Sequence, residues 1–265
     1  MARLIVRGAG DIGSAVALHL RAAGHVVVLH DARLPPHPRR GMALTDAWFE
    51  NVCTLEGVLA KRASGVQSLR KMLACGHALP VSDAEFGEVL DAMEPDAIVD
   101  ARMYKHAAPD ALRGLAPLAI GLGPGFVAGG NADVVVETAW GDTLGAIIRD
   151  GSARRYSGEP RPIAGHGRER YVYAPAAGVL RTTLAIGDGV RQGDEVARLG
   201  EAPILAPLTG ILRGLTHDGA TVAVGSKIVE VDPRGDPSAA FGIGERPDRI
   251  AAGVVAAVEQ ALRQD

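Results

Sequence analysis

Short apolar segments alternate with amphipathic segments along the first half of the chain. Residues 4–6 form an apolar run that predicts a buried parallel strand. Residues 12–23 carry apolar positions at helical spacing, and Gly24 is expected to end that helix. Residues 25–30 predict a second buried strand, and further short strands are predicted at 97–99, 118–120 and 134–136. This alternation predicts an α/β architecture with a parallel sheet.

The loop between the first strand and the first helix has the spacing of a phosphate-binding turn. Gly8 permits a tight turn, Gly10 lets the backbone approach a pyrophosphate, and Gly13 lets the helix lie close to the strand. Asp31 follows the second predicted strand, where a carboxylate can accept a hydrogen bond from a ribose hydroxyl group. The segment therefore predicts a Rossmann-like domain, and its predicted cofactor-binding residues are Gly8, Ala9, Gly10, Asp11, Ile12, Gly13 and Asp31.

A second glycine-rich loop follows the strand predicted at 118–120. Glycine is conformationally costly unless the backbone needs a positive φ or a close approach, and five of the ten residues at 121–130 are glycines. Such a loop can present successive N–H groups to an anion. The cofactor-binding residues predicted here are Gly121, Gly123, Pro124, Gly125 and Phe126.

Other polar residues lie where ligands bind in parallel sheets, just beyond the carboxyl ends of strands. They are Asp100, Arg102, Lys105, His106 and Glu137. An ordinary loop, in which Asp100 caps a helix, is the alternative for the first four. The proline-rich loop that follows Asp31 is expected to be solvated, or else to clamp a phosphate through Arg39 and Arg40.

The second half of the chain contains an internal repeat at an offset of 32 residues. Ala174–Pro175 recurs as Ala206–Pro207, and the matched pairs include Gly178 with Gly210 and Val190 with Val222. The pattern resembles the barrel-sandwich hybrid of biotinyl and lipoyl domains. The turn at residues 200–204 has no lysine, so no biotin or lipoate is expected.

These patterns divide the chain into three parts. Residues 1–160 are predicted to form the Rossmann-like nucleotide- or cofactor-binding domain, and residues 165–235 a pseudo-twofold β barrel-sandwich domain. Residues 236–265 are predicted to form a tail and a helix packed on the body. The predicted fold class is thus α/β, with a parallel-sheet domain, an all-β barrel-sandwich-hybrid-like domain and a C-terminal helix.

Composition narrows the classes of partner. The formal charge of −3 does not favour nucleic acid, and no apolar run is long enough for a membrane span. The N-terminus does not have the pattern of a signal peptide, so a cytoplasmic protein is expected. Cys53 and Cys75 lie outside any Cys/His cluster, which predicts no metal site and two buried structural thiols.

A series of short motifs extends over nearly the whole chain, at residues 6–12, 120–126, 137–138, 144–145, 151, 158, 165–166, 169–170 and 174–175. Their order resembles the accessory proteins of selenium-dependent molybdenum hydroxylase systems, which are loosely related to the XdhC–CoxI type of xanthine dehydrogenase accessory factors. The resemblance implies a maturation factor that binds the molybdenum cofactor transiently and has a molybdenum hydroxylase as its client enzyme.

Two other functions fit the same residues. The first glycine loop with Asp31 also fits an NAD-dependent oxidoreductase, although no set of residues stands out for hydride chemistry and no catalytic residue is assigned. The third reading is a docking module, in which the repeat holds a client enzyme and the N-terminal domain senses a nucleotide. All three functions involve a small phosphate-bearing ligand, and a homo-oligomer is compatible with each.

Overall fold

The computed structural model describes residues 1–104 and 108–263. The first half contains eleven strands: β1 (Arg3–Arg7), β2 (Val26–His30), β3 (Val52–Leu55), β4 (Val58–Arg62), β5 (Leu79–Ser82), β6 (Ala97–Asp100), β7 (Leu118–Leu122), β8 (Val127–Ala128), β9 (Val134–Val136), β10 (Ile147–Ile148) and β11 (Gly151–Ser152). The helices are α1 (Asp11–Ala22), α2 (Ala47–Glu50), α3 (Val66–Cys75), α4 (Phe86–Met93) and α5 (Glu245–Ala261).

Nine strands form one large sheet in the order β10-β9-β7-β6-β1-β2-β5-β4-β3. The seven strands from β9 to β4 pair in parallel, so their carboxyl ends lie at one edge of the sheet. The strands β1, β6 and β7 are buried over nearly their whole length, as expected for strands that are covered on both faces. The loops that follow β1, β2, β6, β7 and β9 therefore meet at the carboxyl edge.

The predicted fold class, a Rossmann-like parallel domain with a barrel-sandwich-hybrid-like domain, is wrong. The large sheet is mixed, because β3 pairs antiparallel with β4 and β10 pairs antiparallel with β9 at its two ends. The β3–β4 hairpin turns at Glu56 and Gly57, both with positive φ, which suits the twist of a two-residue hairpin. In the second half, the strands form two separate four-stranded antiparallel sheets rather than the predicted barrel.

The strands of the second half follow the predicted repeat. They are β12 (Tyr171–Tyr173), β13 (Gly178–Arg181), β14 (Gly189–Val190), β15 (Glu195–Leu199), β16 (Ala202–Leu205), β17 (Gly210–Leu215), β18 (Thr221–Val222) and β19 (Lys227–Asp232). One sheet has the order β12-β19-β17-β14 and the other β16-β15-β13-β18. An offset of 32 residues exchanges each strand of one sheet for its counterpart in the other. The division into three domains stays a prediction.

Several contacts join the halves of the chain. Helix α5 packs along α1 and buries Ile250, Val254 and Val258 in the core beneath the large sheet. The loop after β2 crosses to β17, where the Leu215 amide donates to the Pro38 carbonyl at 2.8 Å. Gly214 permits this crossing, because a Cβ there would lie 3.4 Å from Pro38 Cβ and 3.0 Å from Glu230 Cβ. No helix in the described part of the chain has the length and apolar character to span a membrane.

Candidate functional site at the start of helix α1

The predicted phosphate loop forms the turn between β1 and α1. Gly8 has a φ of +100°, and a Cβ there would lie 2.8 Å from the backbone of Ala101 and Arg102. A Cβ on Gly13 would lie 1.7 Å from the Gly8 carbonyl oxygen. The loop therefore requires glycine at both positions for packing between the helix, its strand and β6.

Side chains of this chain accept hydrogen bonds from two amides of the turn. The Ala9 amide donates to the Asp31 carboxylate at 2.6 Å, and the same carboxylate accepts from the Ala32 amide at 2.7 Å. The Asp11 amide, in the first turn of α1, donates to His37 Nε2 at 3.2 Å. The His37 ring also lies 3.1 Å from the position of a Cβ on Gly10, where a pyrophosphate was predicted to approach.

Beside this turn, four cationic side chains converge on the buried carboxylate of Glu230. Arg39 pairs with it through Nε at 2.8 Å and Nη2 at 3.2 Å, and Arg170 Nη1 lies at 2.9 Å. Lys227 Nζ lies 3.0 Å from Glu230 Oε2, and Arg213 Nη1 3.7 Å from Oε1. We call these five residues the Glu230 cluster.

The Glu230 cluster is continuous with the start of α1. Arg39 Nη1 donates to Asp11 Oδ2 at 2.9 Å, so one guanidinium spans the first turn of the helix and β19. The Tyr171 ring covers another side of the cluster, with Lys227 Nζ 4.4 Å from its centroid. One buried group of charges is therefore surrounded by five segments, which are the loop that follows β2, the helix α1 and the strands β12, β17 and β19.

The charges in this group shift one another's pKa values. Burial alone would raise the pKa of Glu230, but Arg39 and Lys227 hold it well below its usual range. Asp11 behaves in the same way, with its pKa held low by Arg39 and His37. Burial and the neighbouring Arg39 lower the pKa of Lys227 to about 8, and burial lowers that of His37 to about 4. At neutral pH His37 is a neutral hydrogen-bond acceptor and Lys227 is mostly protonated.

Positive charge is in excess in this group. The four cations of the Glu230 cluster form ion pairs with two carboxylates of the described chain, those of Glu230 and Asp11. The nearby Asp232 is paired with another arginine, Arg234. Arg213 Nε is buried and has no hydrogen-bond partner among the described residues. Burial and the nearby Arg39 also lower the pKa of Arg213, because a further positive charge is unfavourable there. An anion bound at this group would offset part of its positive charge.

A second ionic cluster lies where β1 and β6 end, next to Gly8. Arg102 binds the fully buried Asp100 through Nε at 3.1 Å and Nη2 at 2.6 Å, which brings together two of the predicted residues. Arg102 Nη2 also contacts Asp110 at 2.8 Å, and Arg7 Nη1 lies 3.4 Å from the same Asp110 oxygen. Asp100 is thus a partner of arginine rather than a helix cap.

The second glycine loop is closely packed. A Cβ on Gly121 would lie 2.2 Å from the buried Phe126 ring, and one on Gly123 would lie 2.4 Å from Thr138 Oγ1. The Gly123 amide donates to the Val136 carbonyl at 3.0 Å, and a Cβ on Gly125 would lie 2.9 Å from Pro109. The glycines at 121, 123 and 125 therefore make room for neighbouring side chains, and a ligand role for residues 121–126 stays a prediction.

Two other predicted ligand residues are engaged within the protein. Glu137 is buried and accepts from the amides of Thr138, Ala139 and Arg154 at 2.7, 2.8 and 2.9 Å. Arg40 donates to Asp46 and to the Leu215 carbonyl, so Arg39 alone of the predicted arginine clamp reaches the start of α1. Lys105 and His106 lie outside the described residues.

The prediction of two buried thiols is wrong for Cys75, and Cys53 is only partly buried. Cys75 is exposed, at the end of α3. Cys53 is half-buried, its thiol donates to the Leu44 carbonyl, and burial raises its pKa to about 11.

The sequence patterns did not identify His37, Asp110, Arg213, Lys227 or Glu230 as site residues. Arg7 and Arg170 were noted only as members of the motifs at residues 6–12 and 169–170. One signal was available in β19, where Glu230 lies between two valines within a strand whose central residues are all buried. A charged residue at such a position needs ionic partners, which predicts nearby cations without identifying them.

Comparison with known proteins gives relatives by sequence but no family. No family model matches the chain. An uncharacterized Escherichia coli K12 protein, YqeB, is 38% identical over 261 residues, which cover 98% of this chain and 48% of that protein. The glycerol-3-phosphate dehydrogenase [NAD(P)+] of Erwinia tasmaniensis is 26% identical over 212 residues, covering 72% of this chain and 60% of the enzyme. The chain thus spans about half the length of the curated relatives that it matches.

Similarity to solved structures is low. An aspartoacylase family protein of Mesorhizobium loti has a TM-score of 0.28 at 9% identity, over 87% of this chain and 84% of that one. A succinylglutamate desuccinylase of Silicibacter has a TM-score of 0.25 at 13% identity, over the same shares. Scores of this size identify neither the fold nor the activity of this chain. The functional evidence is therefore the charge arrangement of the chain itself, which is a buried group with more cations than carboxylates next to the first turn of α1.

Proposed function

We propose that this chain is an accessory factor in the maturation of a molybdenum hydroxylase, and that it holds the phosphate-bearing molybdenum cofactor at the start of α1. The observation that carries the proposal is the excess of cations in the Glu230 cluster. A terminal phosphate carries negative charge and oxygen acceptors, which suit Lys227 and the free Nε of Arg213. The identity of the ligand as the molybdenum cofactor is taken from the motif resemblance, which extends from residue 6 to residue 175.

In this proposal, two of the cations hold the Glu230 cluster together and the other two bind the ligand. Arg39 and Arg170 neutralise Glu230 and fix the cluster, since both hold it at 2.9 Å or less. Lys227 and Arg213 supply the positive charge that remains for the ligand. The α1 N-terminus adds its amides and the positive end of the helix dipole once His37 turns away from the Asp11 amide. Cofactor is cargo in this proposal, so tight binding and release both matter, and no catalytic residue is required.

The experiment is co-expression of the chain with the enzymes of molybdenum cofactor synthesis, followed by elemental analysis and pterin fluorescence of the purified protein. The proposal expects stoichiometric molybdenum and pterin in the wild type and much less in a Lys227→Met/Arg213→Met double variant. Arg181→Met is the matched control, because Arg181 is an exposed cation that pairs only with Asp218 at 3.3 Å among its salt-bridge partners in the described chain. A wild-type protein without molybdenum and pterin would refute the proposal.

The runner-up is binding of NAD by an oxidoreductase. It is favoured by the similarity to a glycerol-3-phosphate dehydrogenase [NAD(P)+] and by the position of Asp31 after β2. Against it, both Asp31 oxygens already accept backbone amides, at 2.6 and 2.7 Å. Titration with NADH, followed through nicotinamide fluorescence, separates the two functions. Tight NADH binding that Asp31→Ala abolishes would favour the oxidoreductase.

A further inference from the structure

The arginines Arg7 and Arg102 lie next to Gly8 and share no ion-pair partner with the Glu230 cluster among the described residues. Arg7 ends β1, and Arg102 follows the end of β6, so the carboxyl edge of the sheet holds both. Their guanidinium groups share one acceptor, Asp110 Oδ2, at 3.4 and 2.8 Å. Two arginines that converge on one oxygen have the arrangement of an oxyanion site.

Arg7 is poorly satisfied for a buried cation. Its side chain is 10% exposed, and its guanidinium packs on the Phe86 ring at 3.9 Å from the centroid. Asp100 lies 3.9 Å away, beyond hydrogen-bond distance, and Arg7 Nε is buried without a partner among the described residues. Burial and the adjacent Arg102 lower the pKa of Arg7. A buried guanidinium with one long hydrogen bond retains capacity for another acceptor.

Asp110 differs from the other acid of this cluster. Asp100 is fully buried and bound by Arg102 on both oxygens, so it is a fixed part of the structure. The Asp110 side chain is 62% exposed and uses only Oδ2 to contact the two arginines. Because Asp110 already contacts water, its carboxylate loses less on leaving the two arginines than the buried Asp100 would.

We propose that Arg7 and Arg102 form a second oxyanion site, which takes a phosphate group of a ligand, and that Asp110 occupies it as a displaceable internal substitute. With Asp110 in place the four charges balance, and its departure leaves one net positive charge beside the Gly8 turn. A phosphate that enters accepts from Arg7 Nη1 and Arg102 Nη2 in place of Asp110, and its additional oxygens reach donors such as Arg7 Nε that Asp110 leaves unpaired.

The test measures inorganic phosphate binding to the full chain by calorimetry, with Asp110→Ala as the informative variant. Because Asp110 competes with the ligand, removing it should tighten phosphate binding by about fivefold or more. Glu195→Ala is the matched control, since Glu195 is an exposed acid paired with an exposed arginine, Arg198, at 2.6 Å, and it should leave phosphate affinity unchanged. An Asp110→Ala protein that binds phosphate no more tightly than the wild type would overturn the proposal.

Two further variants locate the bound phosphate. Arg7→Met in the Asp110→Ala background should abolish the gain, while Asp100 keeps its contacts with Arg102 and the fold is retained, as checked by thermal unfolding. Arg39→Met, which changes the Glu230 cluster, should preserve the gain. A gain lost with Arg39→Met but kept with Arg7→Met would assign the phosphate to the Glu230 cluster and overturn this proposal. The result is independent of molybdenum content, so failure of the proposed function would be seen separately.

Discussion

Arg39 and Glu230 form a two-point ion pair, with distances of 2.8 and 3.2 Å, although 191 positions separate them in the chain. The pair joins the loop after β2 to the central strand pair of an antiparallel sheet in the second half. Because Arg39 also contacts Asp11 at 2.9 Å, it links that sheet to the first turn of α1. The candidate site therefore exists only when both halves of the chain are folded and docked.

Glu230→Gln tests the cluster as a structural unit. The substitution leaves the four cations with one carboxylate that still forms an ion pair with any of them among the described residues, that of Asp11, so we expect a loss of about 3–5 kcal/mol in the free energy of unfolding. Urea denaturation measures it. The matched control is Glu195→Gln, which breaks an exposed pair and should cost about 1 kcal/mol or less. Equal losses in the two variants would show that the buried charges are not interdependent.

Lys227 predicts how anion binding depends on pH. Its pKa of about 8 means that the ammonium form dominates at pH 7 and is lost as the pH rises through 8. Affinity for a phosphate-bearing ligand should therefore fall between pH 7 and 9, and Lys227→Met should flatten the profile at the lower affinity. Binding measured across this range checks the prediction. A wild-type profile that matches the Met variant would exclude Lys227 from the site.

Lys227 also affects the pH dependence of stability: the free energy of unfolding should rise with pH, whereas the affinity for the ligand should fall. Its pKa is lower in the folded protein than its ordinary value of 10.5, so the unfolded chain binds more protons between pH 8 and 10.5. This residue alone therefore makes the free energy of unfolding rise with pH in that window. The difference in stability between wild type and Lys227→Met, measured by urea denaturation at pH 7.5 and 10, should move in favour of the wild type. A difference that is constant with pH would contradict the lowered pKa.

His37→Ala separates stability from binding. His37 Nε2 accepts the Asp11 amide, so its loss should cost about 1 kcal/mol in the free energy of unfolding. The same change opens the space beside Gly10 and frees an N–H group at the positive end of α1, so affinity for the phosphate-bearing ligand should increase. Calorimetry and urea denaturation on the same preparations measure both. Weaker binding in the variant would mean that His37 contacts the ligand instead of giving way to it.

Gly13→Ala tests the close approach of α1 to β1. A Cβ would lie 1.7 Å from the Gly8 carbonyl oxygen, so the helix must move, at a cost of about 3 kcal/mol or more. The matched control is Gly87→Ala in α4, where a Cβ meets nothing within 4 Å. That change should be neutral or stabilising by up to about 1 kcal/mol. Thermal unfolding compares them, and similar midpoints would contradict the packing described here.

Local pattern predicted the elements better than the architecture. The strands at β1, β2, β6, β7 and β9 and the helix α1 follow from apolar periodicity, and the repeat predicted corresponding strands in the second half. The β3–β4 hairpin was missed, because most of its residues are exposed or half-buried and it lacks an apolar run. With it, the mixed character of the large sheet was missed.

The candidate site was only partly predictable, because its charges come from distant parts of the chain. Gly121 illustrates the limit of a glycine signal: it marked a close approach correctly, but the approaching group is Phe126 of the same loop. Arg39 was recognised as an anion-binding candidate, whereas its partner Glu230 has no local pattern that links it to residue 39. Pairing between segments 191 positions apart depends on tertiary packing, which no periodicity encodes.

The most direct test of the account is mass spectrometry of the small molecules that copurify with the chain from its natural source, in the wild type and in Lys227→Met/Arg213→Met. We expect a phosphate-bearing pterin or nucleotide in the wild type that is absent or strongly depleted in the variant, with both proteins folded. A wild-type protein that carries no such molecule, or a variant that retains it in equal amount, would contradict the claim that the excess charge beside α1 is a binding site.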